Sequence, residues 1–318
     1  MSDLELGRLG YGAANVGNLY REVSDEVAWA ALEAAWDSGI RYFDTAPHYG
    51  LGLSERRLGA FLRTKPREEY VVSTKVGRLL RPNPDGAGGT DLAHDFAVPA
   101  DLRRVWDFTA DGIRRSLDES LLRLGLDTVD ILFLHDPEEF DLAPAISTGV
   151  PALADLRAQG QIRASGIGSK STAALLAAVR TGELDLLMVA GRYTLLEQPA
   201  ALEVLPECRS RGVGVIAAAV FNSGVLARSV PVAGDRYEYG TIPDELLDRA
   251  RRIADVCAQF DVELPTAAVQ FALHDPAVIS VVVGSGRPDQ VRQNAERMAA
   301  RIPDQLWRAL KDNELVTI

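Results

Sequence analysis

The stretch RYFDTAPHYGLGLSERRLGAF, residues 41–61, decides the fold. It opens as a strand, with Tyr42 and Phe43 in an apolar run, and then sets Asp44, His48 and Tyr49 where that strand ends. An acid and a phenol in such a place suit a sheet whose strand ends build a site. The fold then depends on how many strands of this kind the chain holds.

Working outward, short apolar or β-branched runs recur at LGYGAAN, YFDTA, YVVSTKV, VDILFLH, IRASGIGS, LDLLMVAG, VGVIAAAV and VISVVVGS. Between them lie stretches of helical spacing. Ile113, Leu117, Leu121 and Leu124 mark one face of a helix, and Val27, Ala31 and Ala34 mark another. Asp25 and Glu26 fall in the first turn of that second helix, where its dipole favours negative charge. Gly39, Gly125, Gly160 and Gly212 close helices before the next strand. Strands alternating with helices pair in parallel, and eight such units close into a (β/α)8 TIM barrel. A doubly wound sheet would usually show a G-x-G-x-x-G turn after its first strand, and LGYGAANVGNLY lacks one. The segment 241–275 holds two helices where the repeat needs one.

The chain has 318 residues, within the range of a single barrel, so one domain spanning 1–318 is expected. Three long irregular stretches, 80–108, 136–149 and 227–241, are placed to cover a site; the third carries Tyr237 and Tyr239. A hydrophobic fraction of 47% supplies one large core. The net charge of −11, with no basic stripe, argues against a nucleic-acid partner. No run approaches membrane-spanning length, and no signal peptide is visible. Cys208 and Cys257 show neither disulfide nor metal-ligand spacing, which fits a reduced, cytoplasmic setting with no metal. The sequence leaves the oligomeric state open.

In a (β/α) barrel the active site forms at the carboxyl ends of the strands. There the sequence puts Asp44, with Tyr49 behind it, then Lys75, then His135, on three neighbouring strands. An ammonium beside a phenol lowers the phenol's pKa, and a carboxylate holds the ammonium charged. A histidine opposite orients a substrate oxygen. Such a site exchanges a proton with a carbonyl or hydroxyl oxygen.

FDTAPHYGLGLSERRLG, STKVG and VDILFLHDP, in that order and spacing, resemble the aldo-keto reductase family. The resemblance covers almost the whole chain. It implies that Asp44, Tyr49, Lys75 and His135 form a catalytic tetrad, with Tyr49 the general acid/base. It also implies NAD(H) or NADP(H), bound across the barrel top. GNLYREVSDE, the GLG triplet, AGRYTLLEQPAL and VFNSGVLA resemble more narrowly the aldose 1-dehydrogenase branch. That branch includes D-threo-aldose, L-fucose and L-galactose dehydrogenases, with pyridoxal 4-dehydrogenase close by. The expected reaction is oxidation of an aldose at C1 to the lactone. Alternatives are pyridoxal oxidation, general aldehyde or ketone reduction, and a cofactor-binding regulatory subunit.

By the same resemblance, cofactor contacts fall on Ser169, Phe221, Asn222, Gly284, Ser285, Gly286, Arg287, Gln290, Gln293 and Asn294. Gly168 and Ser169 stand where the family commonly has a Ser-Asn pair holding the nicotinamide amide, and Ala190 and Ala218 fall near its usual Gln and stacking aromatic. Phe221 or Tyr193 is the candidate to fill that space. The cations common in NADP-selective members are absent at Gly284 and Gln290, which favours NAD, with NADP possible through Arg287. His48, Tyr20, Trp106 and Phe140 are the substrate candidates. The loops show no arginine cluster that demands a charged substrate, although Arg21, Arg103 and Arg192 stand near.

Overall fold

A computed structural model describes residues 4–238 and 240–317; Tyr239 and the ends of the expected 1–318 span lie outside the described residues. Eight parallel strands close a barrel: β1 (Leu9–Gly12), β2 (Tyr42–Asp44), β3 (Val71–Val76), β4 (Ile131–His135), β5 (Ala164–Ser169), β6 (Leu186–Ala190), β7 (Gly214–Ala218) and β8 (Val278–Gly284). Each strand pairs with its neighbours in sequence, and β8 closes on β1. Register brings the polar strand ends together: Asp44 lies beside Ser73, Lys75 beside Phe133, and His135 beside Gly168.

Two packed layers hold this frame. Inside the barrel, Tyr42, Phe133, Met188, Ile216 and Val282 fill the interior from different strands. Outside, helices bury one face each against the strands. Helix Asp25–Asp37 starts where the Ser24 hydroxyl accepts from the Val27 N–H at 3.3 Å. Its inward face is Ala28, Ala31, Leu32 and Ala35. Val27, which the spacing assigned to that face, is exposed, whereas its neighbour Ala28 is buried, so the inward stripe begins one residue later than the spacing predicts. Helix Ala110–Leu124 is capped by the Thr109 hydroxyl and buries Ile113, Leu117 and Leu124. Two helices, Asp244–Ala258 and Leu264–Phe271, stand between β7 and β8, as the spacing predicts.

The long segments have more order than their composition suggests. Within 80–108, Arg78–Pro82 and Leu102–Trp106 form an antiparallel hairpin that pairs only with itself. Its arms, RLLRP and LRRVW, mix leucine and arginine without strict alternation and lie far apart in sequence, so neither reads as a strand alone. Within 136–149, a turn over Pro137–Glu139 leads into a short helix and a wide helical turn that ends at Gly149. In 227–241, Arg236–Tyr237 pairs with Gly240–Thr241. No helix among the described residues is long and apolar enough to cross a membrane.

Candidate active site

At the carboxyl end of the barrel, the Lys75 ammonium donates to Asp44 Oδ2 at 2.6 Å, to the Tyr49 hydroxyl at 3.0 Å and to the Thr45 carbonyl at 3.0 Å. That uses all three of its protons. The other Asp44 oxygen accepts from the Ser73 hydroxyl at 2.7 Å, and Ser73 lies 3.0 Å from the Tyr42 hydroxyl. Lys75 and Asp44 are both 2% exposed. Burying two charges costs several kcal/mol each, so such a pair persists only when its remaining hydrogen-bonding capacity is satisfied, as here. Burial alone would lower the Lys75 pKa, but Asp44 and then Tyr49 outweigh it, and the ammonium is held well above its ordinary value.

Burial pushes the Tyr49 phenol up. Lys75 pulls it down, Asp44 pushes it up again, and the net direction is upward. Lys75 thus acts in the direction the sequence suggests, but desolvation prevails, and the phenol is neutral near pH 7. His135 is buried and shifted well below the ordinary histidine value by desolvation and then by Arg78, so it is a neutral imidazole. Its Nδ1 has no partner among the described residues, and its Nε2 lies 3.4 Å from Asp136 Oδ2. The loop carrying Tyr49 is pinned from below. Gly50 sits at φ 61, and a Cβ there would come within 2.1 Å of the Gly17 carbonyl oxygen, so only glycine fits.

Opposite the tetrad stands a charged wall that the sequence reading missed. Arg78 is 4% exposed and pairs with Asp136 at 2.6 Å and Glu139 at 3.0 Å, with its guanidinium over the Trp106 ring. Arg104 grips Asp91 through two nitrogens, at 2.8 and 2.6 Å, and donates to His48 Nδ1. Desolvation raises the Asp136 pKa to about 6, against the pull of Arg78. Both arginines come from the hairpin, where the pairing of Arg78 with Trp106 and of Leu80 with Arg104 sets them on one face; no local sequence pattern signals it. Trp106 lines a smaller cavity of about 360 Å³ along this wall, together with Arg103. Phe140 stacks on Trp106 with centroids 5.9 Å apart and is exposed, at the rim and away from the tetrad.

A main cavity of about 540 Å³ opens over the tetrad and runs across the ends of β5 to β8. Tyr20, His48, Gly168, Ser169, Phe221, Asn222 and Gly284 line it. Ser169 donates to Glu138, and Asn222 donates to Glu197 at 3.3 Å while its Oδ1 is buried without a partner among the described residues. Ala190 and Ala218 line it too, leaving open floor, with Phe221 at the edge. Tyr193 is 3% exposed and packs on Phe271, so it belongs to the core and not to the cavity.

Six of the expected cofactor residues fall outside this cavity, at the end of β8 and the start of helix Pro288–Ala299. The Ser285 hydroxyl lies 2.9 Å from the Gln290 side-chain oxygen, and its carbonyl accepts from Tyr11 at 2.5 Å. Gly286 is buried beside it, Gln293 is exposed, and Asn294 is buried on that helix. Arg287 is exposed and paired to Asp289, two residues on.

Closed parallel barrel and strand-end polar cluster together define a (β/α)8 enzyme with its polar centre on the carboxyl face. Residues 8–314 match the Aldo/keto reductase family, and the chain belongs to it; it is an oxidoreductase. Over 314 residues it is 62% identical to a D-threo-aldose 1-dehydrogenase of Pseudomonas sp, covering 98% of this chain and 95% of that one. It is 40% identical to a pyridoxal 4-dehydrogenase of Microbacterium luteolum, covering 99% and 96%. In fold it is similar to an aldo-keto reductase of Bacillus halodurans solved in holo form, with TM-score 0.79, 23% identity, and coverage of 99% and 94%. Enzymes of this kind use nicotinamide cofactors. The cavity fits one: it is a continuous trough beside the tetrad, with small residues on its floor and the buried, unpartnered Asn222 Oδ1 in its wall.

Proposed function

We propose that this enzyme oxidises an aldose at C1 to the lactone, with NAD as cofactor and Tyr49 as the general base. The observation that carries the chemistry is Lys75 Nζ held between Asp44 and the Tyr49 hydroxyl. The similarity to a D-threo-aldose 1-dehydrogenase supports the substrate class. Bound in the trough beside Ser169, Phe221, Asn222 and Gly284, the dinucleotide supplies the hydride acceptor.

The protein's part is the proton. The phenolate of Tyr49 takes the proton of the anomeric hydroxyl, and Lys75 stabilises that phenolate before the transfer. Asp44 keeps the ammonium charged and aimed. Neutral His135 contributes a hydrogen bond to the same substrate oxygen and needs no protonation change near pH 7. In the reverse, reductive direction Tyr49 gives the proton back. NAD over NADP is supported by the pairing of Arg287 with Asp289, which engages the cation that a 2′-phosphate would need.

The test is the initial rate of absorbance change at 340 nm with NAD or NADP. The substrates are D-arabinose, L-fucose, L-galactose, D-glucose, pyridoxal and simple alcohols. NADH formation with one stereochemical set of sugars is expected. Oxidation of pyridoxal alone, or only consumption of NAD(P)H with aldehydes, would overturn the aldose assignment and keep the tetrad.

A further inference from the structure

His48 immediately precedes Tyr49, yet nothing in the proton chemistry above uses it. Three observations give it a job. First, its Nδ1 faces only donors: Arg104 Nε at 2.5 Å and an Arg78 nitrogen at 3.4 Å. A guanidinium cannot accept a hydrogen bond, so Nδ1 must, and the ring proton is fixed on Nε2. Second, Nε2 has no hydrogen-bond partner among the described residues, and His48 lines the main cavity. Third, the rings of His48, Tyr49 and His135 form a nearly equilateral triangle, with centroids 5.5, 5.8 and 6.1 Å apart.

We infer that His48 is a specificity-determining donor whose Nε2–H binds the hydroxyl on the carbon next to the reacting one, and that Arg104, anchored on Asp91, is the residue that positions it. The inference rests on the aldose reading of the site. With Tyr49 and His135 on the reacting oxygen, His48 lines the same cavity beside both rings, so its donor faces a neighbouring hydroxyl of the same sugar. Arg104 also holds the His48 carbonyl, at 2.9 Å, so ring and backbone are fixed by one guanidinium. Asp91 in turn is 6% exposed and accepts from His94 at 2.8 Å. The device is thus rigid before any substrate arrives, which favours discrimination over accommodation. A neutral donor also suits a hydroxyl better than a cation would, because it adds no charge beside the Lys75 ammonium.

The experiment compares kcat/KM for an aldose with that for its 2-deoxy analogue, in the unaltered enzyme and in three variants. A site built to bond a hydroxyl rejects the analogue lacking it, and a ratio of at least about 10 is expected for the unaltered enzyme. His48→Phe keeps the ring and removes the donor, and the ratio should fall to within about 3 of unity. His48→Gln retains an N–H donor and should recover part of the ratio. Arg104→Met keeps the His48 side chain but releases its ring and carbonyl and frees its tautomer, and should lower the ratio mainly through the KM of the hydroxylated sugar. A merely structural role would slow both sugars alike. Oxidation of the aldose with an unchanged ratio in His48→Phe or, should that variant not fold, in Arg104→Met, overturns this inference alone. So does an unaltered enzyme that treats both sugars equally. No oxidation of either sugar by the unaltered enzyme overturns the aldose reading, and this inference with it.

Discussion

The inner and outer ends of the site are held by opposite means. Around Lys75, each polar group takes its partner from another strand or loop, and the cluster is buried. Past β8, Arg287 bonds Asp289 and Ser285 contacts Gln290, a few residues apart and at or near the surface. The inner end exists only when the barrel is closed, whereas the side-chain pairs of the outer end form within a few residues, with the Ser285 carbonyl tied across to Tyr11. Perturbation should therefore be severe inside and mild outside.

The sharpest test of that contrast is Tyr49→Phe. It removes the transferable proton and little else, and should lower kcat by about 10²- to 10⁴-fold. Cofactor affinity, followed by fluorescence titration, should stay near normal, and full turnover would refute the role. Next comes Lys75→Met, which strands the Asp44 carboxylate in a dry site. Breaking one partner of a buried pair costs about 3–5 kcal/mol, so denaturant melts should shift accordingly, and the alkaline rise of the residual oxidation rate should be displaced to higher pH than in the unaltered enzyme. An unchanged pH profile in that variant would refute the tuning role of Lys75.

Acidity should distinguish the two directions of reaction. With Tyr49 above the ordinary phenol value, most of the enzyme holds the neutral phenol at pH 7. Oxidation needs the phenolate, so its rate should rise roughly tenfold per pH unit from 7 to 9. Reduction needs the phenol and should stay flat over that range. Because His135 and His48 are both pushed well below 6.5, neither should add a limb between pH 7 and 8. A flat oxidation profile would mean that Lys75, and not desolvation, governs the phenol.

The smallest effect belongs to the outer end. Asp289→Asn frees Arg287 for a phosphate and should raise the NADP-to-NAD preference by about 2- to 5-fold, the scale of an exposed ion pair. A change of several hundredfold would show that this end is as tightly determined as the inner one.

This contrast also accounts for what the sequence made legible. The eight strands and Asp44, Tyr49, Lys75 and His135 are readable because β2 and β4 end on their polar residue, Lys75 stands one residue from the end of β3, and the loop motif is local. The upward drift of the Tyr49 pKa is not readable, because it depends on how much barrel surrounds the ring. Arg78 and Arg104 escape as well. Their inward direction comes from the register of a hairpin whose arms are separated by most of a loop, and only the pairing reveals which face they share. Tyr193 misleads for the converse reason: it follows β6 closely in sequence, yet its ring turns outward onto Phe271.

That hairpin pairs with no barrel strand, yet it brings Arg78, Arg104 and Trp106 to the site's edge. It is in effect a cassette. Exchanging residues 78–107 for the same segment of a relative would alter which molecules are admitted without re-registering the strands that hold Lys75 and Asp44. Substrate range can thereby diversify on a segment apart from the strands that carry Lys75 and Asp44, provided that Arg78, which helps to keep His135 neutral, is retained.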